Sequence, residues 1–158
     1  MTIEELKKQM PWIDAADWRQ HPNGGGWIYK DATVGEAAFV GPLAWVTGSA
    51  WVGGSARVDG SARVGGSARV TGSAWVTGSA WRFSPLYIQG SVHPITVSSL
   101  TEVSVGCKRH TIGWWLEHYA EVGKAEGYTE AQIAEYGGLL SAVKIWMDLM
   151  LPKEEEHG

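Results

Sequence analysis

From Ile28 to Trp81 a branched aliphatic residue returns at every sixth position, and the letters between repeat with it. In sixes the stretch reads IYKDAT, VGEAAF, VGPLAW, VTGSAW, VGGSAR, VDGSAR, VGGSAR, VTGSAW, VTGSAW. Every hexad opens on Val or Ile and carries Ala fifth. A low-complexity linker has no reason to hold a branched apolar side chain in strict register, so the repeat predicts structure. Ala-X-Val-X predicts a short strand with Ala and Val on one face and the other two residues on the opposite one. The remaining pair, usually Gly-Ser, predicts a corner where glycine takes backbone angles that other residues avoid. Three strands and three corners make an 18-residue coil, with successive coils about 4.8 Å apart through parallel pairing.

The period differs on either side. Residues 1–27 predict a capping segment: a short helix over IEELKKQM, stopped near Pro11, then Trp12, Trp18 and Trp27 around an NGGG turn. Beyond residue 105 the apolar spacing becomes helical. Ile112, Trp115, Tyr119 and Val122 form one stripe, and Gly127 suits a helix stop. Thr129 with Gln132 reads as a capping box, with Tyr128 and Ile133 as its hydrophobic staple. Ile133, Tyr136, Leu140, Val143, Met147 and Met150 form a second stripe, which Gly137-Gly138 weakens or bends. The chain therefore divides into a cap (1–27), a repeat region (28–105, with IQGSVH and LTEVSV as loose final repeats), a helical hairpin (106–152) and an acidic tail (153–158).

The position before each valine is the variable one. With 18 residues per coil, positions 18 apart lie above one another, so these residues form three columns. The first holds Thr33, Trp51, Arg69 and, continuing the count, Tyr87. The second holds Phe39, Arg57, Trp75 and His93; the third holds Trp45, Arg63, Trp81 and Ser99. Each Arg falls between aromatics of the coils below and above, where a guanidinium can lie on ring faces for about 0.5–1 kcal/mol per exposed contact. Arg suits this better than Lys because its group is planar and weakly hydrated. The columns serve either as stabilising ladders or as an interaction surface, since Trp and Arg are enriched among binding hot spots.

Composition narrows the function classes. Glycine is 21 of 158 residues and Trp is 10, and such aromatic content argues against a disordered chain. A net charge of -4 predicts no general nucleic-acid binding. One cysteine, Cys107, excludes an intrachain disulfide and fits a reducing compartment. The charged start MTIEELKKQM is not a secretory signal, and no apolar run suits a membrane span. A cytoplasmic protein is expected.

Residues 28–81 resemble the hexapeptide-repeat proteins. That resemblance implies a mainly β fold, a left-handed parallel β-helix of 18-residue coils, here followed by a C-terminal α-helical hairpin. NGGGW (23–27), SPLYIQGS (84–91) and VGCKRHTIGWW (105–115) are similar to phage and prophage members, implying the host cytoplasm as compartment and interference with a host defence process as a role. Family enzymes transfer acyl groups from coenzyme A thioesters, as trimers, with a catalytic His on a loop that interrupts a coil. Here the hexads are unbroken and hold none of the five histidines. His93 is the one candidate base and has no identifiable partner acid, and Cys107 with His110 is too sparse a pair for a metal site. The expectation is a non-catalytic binding or assembly protein without a cofactor. It is expected to be a homotrimer that holds a host protein or a small anionic ligand of the nucleotide class, since indole stacks on bases and guanidinium pairs with phosphate. Its binding residues are Trp45, Trp51, Arg57, Arg63, Arg69, Trp75, Trp81, Tyr87 and His93. The alternative is a coenzyme A-dependent acyltransferase acting through His93.

Overall fold

A computed structural model describes residues 1–152 except 79 and 82; the acidic tail at 153–158 lies outside the described residues. The chain forms two compact units, one from Met1 to Pro85 and one from Leu86 onward.

The expected mainly β, left-handed parallel β-helix running to residue 105 is overturned. Among the described residues the strands fall into four small sheets, parallel and antiparallel, accompanied by three α-helices. The parallel pairing ends at Trp81, and the strands from Tyr87 to Thr111 make a separate antiparallel sheet. The physical cause lies in the corners. IQGSVH and LTEVSV share a few letters with the hexads, but Pro94 and the four-residue runs PITV and EVSV favour longer strands joined by hairpins.

In the first unit, α1 (Ile3–Gln9) precedes β1 (Trp18–Gln20) and β2 (Trp27–Tyr29), which pair antiparallel. Two-residue strands follow: β3 (Thr33–Val34), β4 (Phe39–Val40), β5 (Trp45–Val46), β6 (Trp51–Val52), β7 (Arg57–Val58), β8 (Arg63–Val64), β9 (Arg69–Val70), β10 (Trp75–Val76) and β11 (Ala80–Trp81). They distribute over three sheets, β2-β5-β8-β11 with β1 at its edge, β3-β6-β9, and β4-β7-β10. Partners through β10 stand 18 residues apart, as in Trp51↔Arg69 and Arg57↔Trp75. Each strand from β3 to β7 donates two backbone bonds to the next circuit: Trp51 N donates to Ala68 O and Gly53 N to Val70 O, both at 2.9 Å. Ala and Val of the hexads face inward and are almost wholly buried from Ala38 to Val76.

Glycine at the corners meets two demands at once. Gly54 has φ +61, and a Cβ there would stand 2.8 Å from the carbonyl oxygen of Gly72 in the next circuit. Only glycine satisfies both. At the amino-terminal end α1, started by a Thr2–Glu5 capping box, sets Leu6 against Trp27 and Trp45 in a buried cluster. That seals the apolar face which the first circuit would otherwise expose.

The second unit holds β12 (Tyr87–Gln89), β13 (Pro94–Val97), β14 (Glu102–Val105) and β15 (Lys108–Thr111) in antiparallel order. α2 (Ile112–Ala125) and α3 (Glu130–Met150) follow, the second opened by the Thr129–Gln132 capping box. Trp115, Tyr136, Leu140, Val143 and Met147 are buried, whereas Met150 is exposed. Of the two central glycines of α3, Gly137 is buried beneath the ring of Tyr119 and Gly138 faces open space. They should respond oppositely. Gly137→Ala brings a Cβ to 2.8 Å from the Tyr119 ring and is expected to destabilise the unit by about 1–3 kcal/mol. Gly138→Ala is expected to stabilise it by about 0.5–1 kcal/mol. Thermal and denaturant unfolding check both signs.

Candidate functional site: the arginine stacks and the Arg63 cleft

Three guanidinium groups lie on aromatic rings of the preceding circuit. The Arg57 guanidinium carbon is 4.4 Å from the Phe39 ring centroid, Arg63 is 4.3 Å from Trp45, and Arg69 is 5.5 Å from Trp51. In each pair the partners are in register across adjacent parallel strands, 18 residues apart. The arginines belong to one circuit but to three different sheets, so they do not converge on one small ligand within a chain. Arg57 also meets Asp59 at 3.3 Å.

Beyond Arg63 the register changes. An 18-residue step would set Trp81 over Arg63, as the columns require. Instead Ala80 pairs with Arg63 and Trp81 with Val64. That correction has a chemical reason. Unslipped register would send position 82, an arginine where earlier hexads carry Val, toward the apolar interior. A one-residue slip exchanges the faces of a strand, and it turns Trp81 to the inward side, where it is 1% exposed.

The slip leaves a cleft of about 400 Å³ walled by Trp45, Arg63 and Trp81, with Thr47, Gly65 and Gly66 between them. Its volume falls in the range of roughly 300–1,000 Å³ usual for small-molecule sites. Trp45 is 6% exposed because the α1 cluster covers it, so it forms a wall of this cleft and not part of an open platform. Arg63 Nη2 donates to Gln9 Oε1 at 3.3 Å, which holds the guanidinium without neutralising it. Gly65 keeps the floor clear, since a Cβ there would lie 2.8 Å from Thr47 Oγ1. Trp81 Nε1 is buried and has no acceptor among the described residues. Among the described residues the wall thus carries a cation and a hydroxyl, and no carboxylate.

The remaining expected binding residues are dispersed. Trp51 stays at the surface at 40% exposure, and Trp75 is half-buried in register with Arg57. Tyr87 and His93 belong to the second unit and do not extend the columns; Tyr87 pairs with Thr96 in the antiparallel sheet, and buried Ser99 caps a turn by accepting from Glu102 N.

His93 is instead the centre of a polar clamp. Its Nδ1 hydrogen-bonds the Tyr128 hydroxyl. Tyr136 Oη receives its backbone N–H at 2.6 Å and donates to its carbonyl at 2.6 Å. Glu135 accepts from both the N–H and the hydroxyl of Ser91. The space beside His93, shared with Cys107, Glu126 and Tyr128, is about 60 Å³, far below an acyl-thioester site. Burial first, and then the neighbouring Tyr136, push the Tyr128 phenol up to about 12. Lys108, bonded at 2.6 Å, holds Glu126 below the usual carboxylate range. His110 stacks on Trp114 at 3.6 Å, and Trp114 on His118 at 4.2 Å. Among the described residues no three His, Cys, Asp or Glu are grouped to hold a metal, and no helix is long and apolar enough to cross a membrane.

Sequence reasoning missed Thr47, Gly65 and the inward turn of Trp81. The available signal was the replacement of the inward Val by Arg at position 82. No protein-family model, curated protein or solved structure matches this chain.

The raised Tyr128 pKa has a signed consequence. The folded state keeps this proton more tightly than the unfolded chain, so the contribution is complete below about pH 10 and is lost as pH rises toward 12. Ultraviolet titration of tyrosinate should resolve one late phenol near 12, and Tyr128→Phe should remove it. Titration of every tyrosine near pH 10 would contradict the clamp.

Proposed function

We propose that this protein is a non-catalytic binding protein that sequesters a small anionic ligand with a flat aromatic part, of the nucleotide class, in the Arg63 cleft. The observation that carries the reading is the lining: a guanidinium fixed on an indole, the Thr47 hydroxyl nearby, and no acidic side chain among the described residues. Guanidinium pairs with phosphate through paired N–H groups, and Trp45 and Trp81 give the ligand's flat part apolar walls. Arg63 retains donors beyond the one that Gln9 takes. Acyl transfer is disfavoured by the small space at His93.

Assembly belongs to the same reading. The Trp51–Arg69 stack presents an exposed aromatic and a cation side by side, the pairing enriched at interface hot spots, and a homotrimer is the proposed state. Sequestration of a nucleotide is the proposed route by which such a protein interferes with a host defence process.

Calorimetric titration with mono-, di- and cyclic nucleotides tests the ligand. At least one is expected to bind saturably, with Arg63→Gln weakening it about tenfold or more, the loss typical of a charge-assisted hydrogen bond. Arg57→Gln, on another sheet, is expected to change it less than about twofold. No saturable binding by any nucleotide, or equal losses from the two variants, would overturn the ligand assignment. Light scattering tests the assembly, and a monomer at concentrations near those used for calorimetry would remove it.

A further inference from the structure

A second cavity lies in the same unit and has the opposite chemistry. It is about 320 Å³, shares Thr47 with the Arg63 cleft, and is walled by Trp12, Trp18, Tyr29, Asp14 and Asp17. Trp18 and Tyr29 face each other across the β1–β2 pair, with ring centroids 5.4 Å apart and planes at 59°. Trp12 is 80% exposed, a large indole left in solvent at the rim. Three aromatic rings and two carboxylates around one space form a cage suited to a cation whose charge is wrapped in methyl groups.

The chain itself shows the preference. Lys30 Nζ lies 5.8 Å from the Tyr29 centroid and 3.0 Å from Asp17 Oδ1, so one ammonium already uses the edge of this constellation without lining the cavity. Asp14 spends Oδ1 on the N–H of Ala16 and keeps its other oxygen. Trp18 Nε1 is buried with no acceptor among the described residues. A carboxylate beside the ligand's cation would face Asp14 and Asp17, whereas a hydroxyl brings no such repulsion.

We propose that this cavity is a binding site for a hydroxylated quaternary ammonium of the choline type. The rings take the methylated cation, and Asp14 supplies the long-range attraction. The proposal is independent of the nucleotide reading, because it uses different walls and opposite charge.

Proton–nitrogen correlation spectra follow the Trp12 and Trp18 indole signals during titration with choline, betaine and 3,3-dimethylbutan-1-ol, the neutral isostere of choline. Choline is expected to shift both signals saturably, and the isostere to bind about tenfold more weakly or worse. Betaine is expected to fall between them or below. Trp12→Ala removes a solvent-exposed ring, and Asp14→Asn keeps a residue able to cap the following turn, so both variants should fold. Each is expected to weaken choline about threefold to tenfold. Parallel sedimentation with phosphatidylcholine vesicles separates the two sources of this chemistry: co-sedimentation assigns a lipid headgroup, and choline shifts without it assign a free solute. Absence of any saturable shift, or an isostere that binds within twofold of choline, would overturn the proposal.

Discussion

Parallel pairing at a fixed 18-residue step brings every hexad position over its own kind, and this constraint governs the first unit. For inward positions the result is favourable, since Ala lies over Ala and Val over Val in a continuous apolar interior. For the outward position it is hazardous. Arginines stacked on arginines at about 4.8 Å would repel by about 0.9 kcal/mol per pair even at the dielectric constant of water. An aromatic in the neighbouring circuit replaces that repulsion with an attraction of about 0.5–1 kcal/mol. Confining Arg57, Arg63 and Arg69 to a single circuit lets all three rest on the rings of Phe39, Trp45 and Trp51. The choice of Arg or Trp in an otherwise uniform repeat thus follows from what lies one circuit away, not from what lies beside it in sequence.

The candidate chemistry appears where that constraint is broken. At β11 the register slips by one residue, which hides Trp81 and leaves small Ala80 opposite Arg63. A cleft opens between the Arg63 guanidinium and Trp81. At the other end β1 abandons the parallel order and pairs antiparallel with β2, setting Trp18 against Tyr29 beside Asp14 and Asp17. Local departures from a consistent pattern are where function is commonly found. Here the two departures border cavities whose walls carry opposite charge, Arg63 in one and Asp14 and Asp17 in the other.

Much of this was legible from the residues because it is local and periodic. The hexad step fixed which residues share a sheet between Trp27 and Val76. The turn glycines, the Thr129 capping box and the buried stripe of α3 follow from short-range rules. Other features depend on contacts no periodicity announces. Leu6 covering Trp45 turns an expected surface residue into a wall. The antiparallel sheet after Pro85 reads in sequence as further repeats because Gly-Ser and branched residues serve hairpins as readily as hexad corners. His93 shows the same limit: its engagement by Tyr128 and Tyr136 spans 35 and 43 residues, and neither partner is marked by spacing.

The register is tested most directly by the arginine side-chain protons, which move upfield in nuclear magnetic resonance spectra when a guanidinium stem lies on a ring. Trp51 is 40% exposed, so Trp51→Leu can be made without opening the interior. The 18-residue step requires that this substitution return the Arg69 signals to their unstacked positions and leave those of Arg57 and Arg63 in place. A response at Arg57, six residues along the chain from Trp51, with Arg69 unmoved, would contradict the stacking on which the cleft and its chemistry rest.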